Sequence, residues 1–215
     1  FNFPVNLNEF GLALTNGGTN VALTMQIGLN LMDQTDGGLS ATGGFSIVGK
    51  LVETGSGAHR WEYDRLVFDG AHVALNLPRF KAEGTINIYR DHDPYGDGFS
   101  GVLCARILSN NQGTSACADN SGSIKVDVAA MFGSKTDYRY FLVDAYVSGS
   151  AIKVPLPPTP IVLNGFGGGA SYHMIPTGYK DPEDGEALGE GVDASGIIYE
   201  PTPLTKLGLK FVVGL

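Results

Sequence analysis

Three aspartates, Asp91, Asp93 and Asp97, fall within seven residues of the stretch "RDHDPYGDGFSG" (90–101). Carboxylates at this density suit calcium, a hard cation that takes six to eight oxygens from carboxylates and carbonyls held in a tight loop. Gly96 and Gly98 would let the backbone wrap such an ion. The spacing is not that of an EF-hand, which places ligands at positions 1, 3 and 5, glycine at 6 and glutamate at 12. The same residues also spell a turn: aspartate initiates it, Pro94 sets φ, and glycine takes positive φ. The stretch is therefore expected to be a hairpin loop between two strands, with Asp91, Asp93 and Asp97 as the candidate calcium ligands.

Cys104 and Cys117 are the only cysteines, 13 positions apart across a turn-like middle. They form either a disulfide, which needs an oxidising compartment, or two separate thiols. A structural zinc site is not expected, because two cysteines without an adjacent histidine cannot supply four ligands. The histidines His59, His72, His92 and His173 are dispersed and make no H-x-H or H-E-x-x-H pattern. "NGFGGGASYHM" (164–174) has the glycines of a phosphate loop but not its Lys and Ser/Thr. It reads better as a glycine-rich strand that another element approaches closely. The acidic stretch 181–193 reads as a solvated loop rather than a cation site. No G-x-S-x-G elbow is present, and no constellation marks an enzyme. A non-enzymatic role is the expectation.

Positioning such residues falls to strands. In "GTINIYR", Ile86 and Ile88 alternate with Thr85, Asn87 and Tyr89. In "GSIKVDVAAMFG", Ile124, Val126 and Val128 alternate with Lys125 and Asp127. In "DYRYFLVDAYVSG", Phe141, Val143, Ala145 and Val147 oppose Tyr140, Leu142, Asp144 and Tyr146. In "TKLGLKFVVGL", Leu207, Leu209, Phe211 and Val213 alternate with Lys206, Gly208 and Lys210. Each reads as a half-buried strand. Weaker candidates are 10–15, 21–31, 43–52, 61–68, 71–77, 99–108 and 160–165. Between them stand turn signals such as "TNGGTN", "DQTDGG", "TGSG", "FDG" and "DNSG". "VPLPPTP" (154–160) is a connector or an extended edge. The fold expected is all-β, a mainly antiparallel sandwich or long curved sheet with little helix, in one domain over 1–215. The last strand should pair back with an earlier one. The tyrosines opposite Phe141, and Trp61 with Tyr63, suit sheet packing, an interface or a sugar platform.

The composition narrows the partners. Hydrophobic residues make up 43% and charged residues 17%, which argues against disorder. The net charge is −8 with 14 Lys and Arg, which disfavours nucleic acid and anionic membrane surfaces. No apolar run reaches the roughly 18 residues of a membrane helix, so any membrane association would have to come from strands. An outer-membrane barrel would require Lys206 and Lys210 to face the lumen and aromatic girdles to flank an apolar band.

"DPYGDGFSG" and "GFGGGASYHM", separated by "AAMFGSKTDYRYFLVDAYV", resemble segments of very long, β-rich, uncharacterised bacterial envelope or secreted proteins. The resemblance spans about residues 84–174. It implies one module of a larger chain outside the cytoplasm, partnered by other protein modules or subunits of an assembly. The leading expectation is a structural or interaction module of a bacterial cell-surface or secreted assembly, whose hairpin is a plain turn first and a calcium-stabilised loop second, with no other cofactor. The alternatives are lipid binding on a curved sheet, an outer-membrane β-barrel, and a carbohydrate-binding or carbohydrate-active sandwich.

Overall fold

The computed structural model describes residues 5–30, 38–55, 57–107, 115–117, 123–180 and 190–215. Alternation and turn residues produce an almost all-β chain. The strands are β1 (Val5–Thr15), β2 (Asn20–Asn30), β3 (Gly38–Glu53), β4 (His59–Leu77), β5 (Phe80–His92), β6 (Gly96–Ile107), β7 (Ile124–Ser134) and β8 (Arg139–Ser148). They continue with β9 (Val154–Pro155), β10 (Val162–Leu163), β11 (Gly165–Tyr172), β12 (Met174–Tyr179), β13 (Ile197–Pro201) and β14 (Leu207–Gly214). Among the described residues the only helical turn is a 3₁₀ turn at Asn16–Gly18.

Ten strands form one antiparallel sheet in the order β1-β2-β3-β4-β5-β6-β7-β8-β11-β14. Up to β8 each strand pairs with its neighbour in sequence. The C-terminal strand does pair back, against β11, from Gly165↔Gly214 to Tyr172↔Leu207. "VPLPPTP" opens a two-stranded ribbon of β9 and β10. β12 and β13 form a second ribbon, in the excursion that leaves β11 and returns at β14.

One expected turn is absent. "FDG" (68–70) does not separate two strands: β4 runs through it, with a register shift against β3 between Gly44 and Phe45. Gly70 takes φ +147°, so the glycine absorbs an irregularity within the strand instead of reversing the chain.

The larger departure concerns which side is covered. A half-buried strand in a soluble sheet buries its apolar set. Phe211 is 89% exposed and Leu209 73%, whereas Lys81 and Asp144 are each 1% exposed and Arg106 3%. The compact apolar core is small: Tyr89, Tyr95, Met131, Tyr140, Leu142, Met174 and Tyr199. It lies on the polar face, between the hairpin end of β5–β8 and the β12–β13 excursion. Ser115–Cys117 also lies against this face, where Cys117 is bonded to Cys104. Elements that fold over a sheet cover whatever lies beneath them, and here they cover the polar side.

Candidate functional site

Register defines the uncovered face, because directly paired residues in an antiparallel ladder project to the same side. From β1 to β2 the pairs are Val5↔Leu29, Leu7↔Ile27, Phe10↔Met25, Leu12↔Leu23 and Leu14↔Val21. Continuing into β3 and β4, Leu23 meets Ile47 and Ile47 meets Leu66, while Met25 meets Phe45 and Phe45 meets Phe68. Farther on, Leu103 meets Val128, Ala130 meets Val143, Val143 meets Ala170, and Ala170 meets Leu209. Between its end rows this face carries only apolar residues and glycine on all ten strands, among the described residues.

The hairpin end of that face is aromatic. Phe99, Phe132, Phe141 and Tyr172 stand in one cross-strand row, with successive ring centroids at 5.2, 6.2 and 6.2 Å and near-parallel planes. Trp61 and Tyr63 lie on the same face near the hairpin end of β4, both exposed. One position beyond the aromatic row the residues turn polar, in the line Asp97↔Ser134↔Arg139. Beyond Trp61 stands the pair Glu53↔His59. The face is thus an apolar band that ends in an aromatic row and then a polar rim.

The covered face holds a hydrogen-bonded interior. Arg106 donates to Asp127 Oδ1 at 2.7 Å. Glu83 pairs with His72 Nε2 at 2.8 Å through Oε1, and its Oε2 accepts from Ser115 Oγ at 2.5 Å and from the Cys117 amide at 3.3 Å. Glu83 therefore fixes the disulfide-tethered segment to the sheet. Three tyrosine hydroxyls tie this face together: Tyr89 and Tyr140 share a hydroxyl contact at 2.9 Å, and Tyr140 donates to the Tyr95 backbone carbonyl at 2.8 Å. Tyr95 in turn donates to Tyr199 O at 3.2 Å and Glu190 O at 3.3 Å. Burial, with the nearby charges of Glu200 and Glu190, pushes the Tyr95 hydroxyl up to about 12. Burial and the charges of Asp193 and Asp144 raise Tyr199 as well.

A second cluster joins the excursion to the sheet. Asp144 pairs with Gly169, and Gly169 with Lys210, so these three positions form one row on the covered face. Glycine in the middle leaves Asp144 and Lys210 room to meet, at 2.9 Å. Lys210 Nζ also reaches Asp193 Oδ2 at 2.5 Å and donates to Ser195 Oγ at 2.9 Å. A cavity of about 280 Å³ adjoins this row, lined by Asp144, Gly169, Ser171, Met174, Tyr199 and Lys210 among others.

The calcium candidates lie where expected in the chain, at the β5–β6 hairpin. Asp97 Oδ1 accepts the Asp91 amide at 2.8 Å, Asp91 takes φ +48°, and Asp93 precedes Pro94. No group of three or more metal-ligating side chains comes together among the described residues. Cys104 and Cys117 are joined as a disulfide. Of the acidic stretch 181–193, residues 181–189 lie outside the described residues. Asp193 is not solvated as expected but 0% exposed, because Lys210, the Ser195 amide and hydroxyl, and the Ile197 amide all bind it. "GFGGGASY" is the close-approach strand expected: a Cβ at Gly169 would stand 2.4 Å from Asp144 Oδ1. Sequence reasoning missed Lys210, Asp144 and Asp193 as partners. For Asp144 and Lys210 the only signal was a charge within an alternating strand, and for Asp193 its place in the acidic stretch. No protein-family model, curated protein or solved structure matches the chain.

Proposed function

We propose that the ten-stranded sheet is a wall of a membrane-embedded β-barrel, with its apolar face in lipid and its covered face towards the lumen. The chain would then be a structural, non-enzymatic module of a larger bacterial envelope assembly. The uncovered apolar band carries this reading. A sheet that faces hydrocarbon must be apolar outside, polar inside and flanked by aromatic residues at the interface. A soluble sheet alternates the other way round, with its apolar side against a core. Strands of about 9–11 residues suffice to cross a bilayer when tilted, and most strands of this sheet are at least that long. Ten strands in strict alternation leave β1 and β14 running in opposite directions. Closing the sheet, directly or through an even number of added strands, therefore preserves the antiparallel ladder. The disulfide fits an oxidising compartment such as the cell envelope.

Trp61 is the only tryptophan and sits at the aromatic end of the band. In phosphatidylcholine vesicles its emission should shift to the blue. Nitroxide quenchers near the headgroup should quench it more strongly than quenchers at the bilayer centre. A chain that is folded and monomeric without detergent, with Trp61 emission unchanged by vesicles, would exclude the barrel wall and leave a water-facing surface module.

A further inference from the structure

One lysine and two aspartates meet out of water on the covered face, an arrangement that can do more than balance charge. We propose that Lys210 Nζ and Asp193 Cγ condense into an intramolecular isopeptide bond, with Asp144 relaying the proton. This inference concerns the covered face and stands whether or not lipid meets the opposite one.

The reacting groups are held together by the fold. Lys210 Nζ lies 2.5 Å from Asp193 Oδ2 and 2.9 Å from Asp144 Oδ2. Asp193 Cγ is one bond beyond its oxygen, which brings it near the roughly 3–3.5 Å of a near-attack arrangement. Asp193 and Asp144 are buried, and the Lys210 side chain is 15% exposed. The row Asp144–Gly169–Lys210 fixes two of the groups through the sheet. Asp193 is fixed through its backbone, whose amide donates to Ile197 O at 2.9 Å and whose carbonyl accepts the Gly196 amide at 3.0 Å.

The two carboxyls have different surroundings, and these assign their roles. Asp193 Oδ1 accepts from the Ser195 amide and hydroxyl, both at 2.9 Å, and from the Ile197 amide at 3.0 Å. Negative charge that develops on this oxygen during attack at Cγ meets donors already in place. Asp193 is therefore the acyl partner. Burial outweighs the attraction of Lys210 and raises the Asp144 carboxyl above the usual carboxylate range. Asp144 can thus take up and return a proton beside the nitrogen, as an acid–base group must.

The step balances without a co-reactant. Lys210 passes one proton to Asp193 Oδ2, which leaves a neutral amine and a carboxylic acid in a site that disfavours charge. The nitrogen lone pair attacks Asp193 Cγ, the C–N bond forms, and the carbonyl pair moves onto Oδ1. Asp144 takes a second proton from the nitrogen and returns it to the Oδ2 hydroxyl. The C–Oδ2 bond then breaks and water leaves; nothing is oxidised or reduced. The cavity beside Asp144 and Lys210 gives that water a place to go. The bond ties the edge strand β14 to the excursion before it. The cover of this face is then held covalently twice, at Cys104–Cys117 and at Asp193–Lys210.

The test is the mass of the intact protein and of its tryptic peptides. Folded wild type should be lighter than its sequence, with the disulfide counted, by the mass of one water. Trypsin should release 181–206 joined to 207–215, because an acylated Lys210 is no longer a cleavage site. Asp193→Ala and Lys210→Arg should each restore the full mass and abolish the joined peptide. After refolding, Asp144→Asn should form it about a hundredfold more slowly, the usual worth of a positioned acid–base group. If that variant does not fold, the wild-type peptides decide by themselves. A folded wild type at full mass, or a lost water with 181–206 and 207–210 still separate, would overturn the proposal. So would 207–215 joined instead to the Asp144 peptide 140–153, or a joined peptide formed at the wild-type rate in Asp144→Asn.

Discussion

At the scale of single residues, the β5–β6 hairpin shows why a turn uses so many aspartates. Asp91 adopts a left-handed backbone conformation, which Asp and Asn tolerate better than most residues. Asp97 receives the Asp91 amide and so closes the turn with its side chain. Two of the three carboxylates thus have local conformational work, which spacing alone could not separate from ion binding. Gly169 is the opposite case, a residue defined by what it lacks. A methyl group there would meet Asp144 Oδ1 at 2.4 Å and Val143 O at 2.7 Å. Gly169→Ala should cost about 1–3 kcal/mol in denaturant unfolding, the usual penalty of overpacking. Gly11→Ala has nothing nearer than 3.9 Å and should stay within about 0.5 kcal/mol of wild type in the same experiment.

At the scale of elements, the alternation located the strands but left open which of their sides is covered. Ile86 and Ile88, Phe141 and Val143, and Leu207 to Val213 do share faces as their period predicts. Those faces are the open ones, because period 2 records that a strand has two sides and not which medium lies on each. The turn that joins β5 to β6 also ties the sheet to the excursion, through the Tyr95 hydroxyl. An acid whose folded pKa is raised contributes stability that is complete below its unfolded value, about 10 for tyrosine. That stability is lost as pH rises through the folded value, here about 12. The Tyr95 bonds should therefore survive ordinary alkaline conditions and fail only between these limits. In an ultraviolet titration, Tyr95→Phe should remove a late-titrating phenol and leave the earlier ones in place. At neutral pH the same variant should lower stability by about 1 kcal/mol, the net worth of a buried hydrogen bond.

At the scale of the whole molecule, the decisive feature is the medium against the ten-stranded face. A charge placed in mid-band distinguishes lipid from water. For a bilayer wall, Leu103→Lys, two rows from the aromatic row, should cost about 2–4 kcal/mol in folding into vesicles, against about 0–1 kcal/mol for a charge near the interface such as Phe99→Lys. Both sites are exposed on the isolated sheet, so in water the two substitutions should be nearly equal and mild. Equal costs in vesicles would mean that the band does not lie in hydrocarbon. The same scale explains why Lys81, Arg106 and Asp144 are buried without a large apolar core around them. Asp144 is held by Lys210 and by the Ala194 amide of the excursion, and Arg106 by Asp127 of the adjacent strand.

By itself the sequence determined the all-β class, the antiparallel pairing, the positions of most strands, the pairing back of the C-terminal strand and the close-approach role of "GFGGGASY". These follow from period 2, turn residues and glycine placement, all of which act over a few neighbouring residues. Tertiary structure alone decided which face is covered, that "FDG" is an irregularity inside one long strand, and that Asp144, Asp193 and Lys210 meet. Those outcomes depend on segments brought together across 17 positions of chain, from Asp193 to Lys210, up to 66, from Asp144 to Lys210, where no local spacing records the contact. The charged residue that interrupts an apolar strand was visible throughout; only the fold supplied its partner.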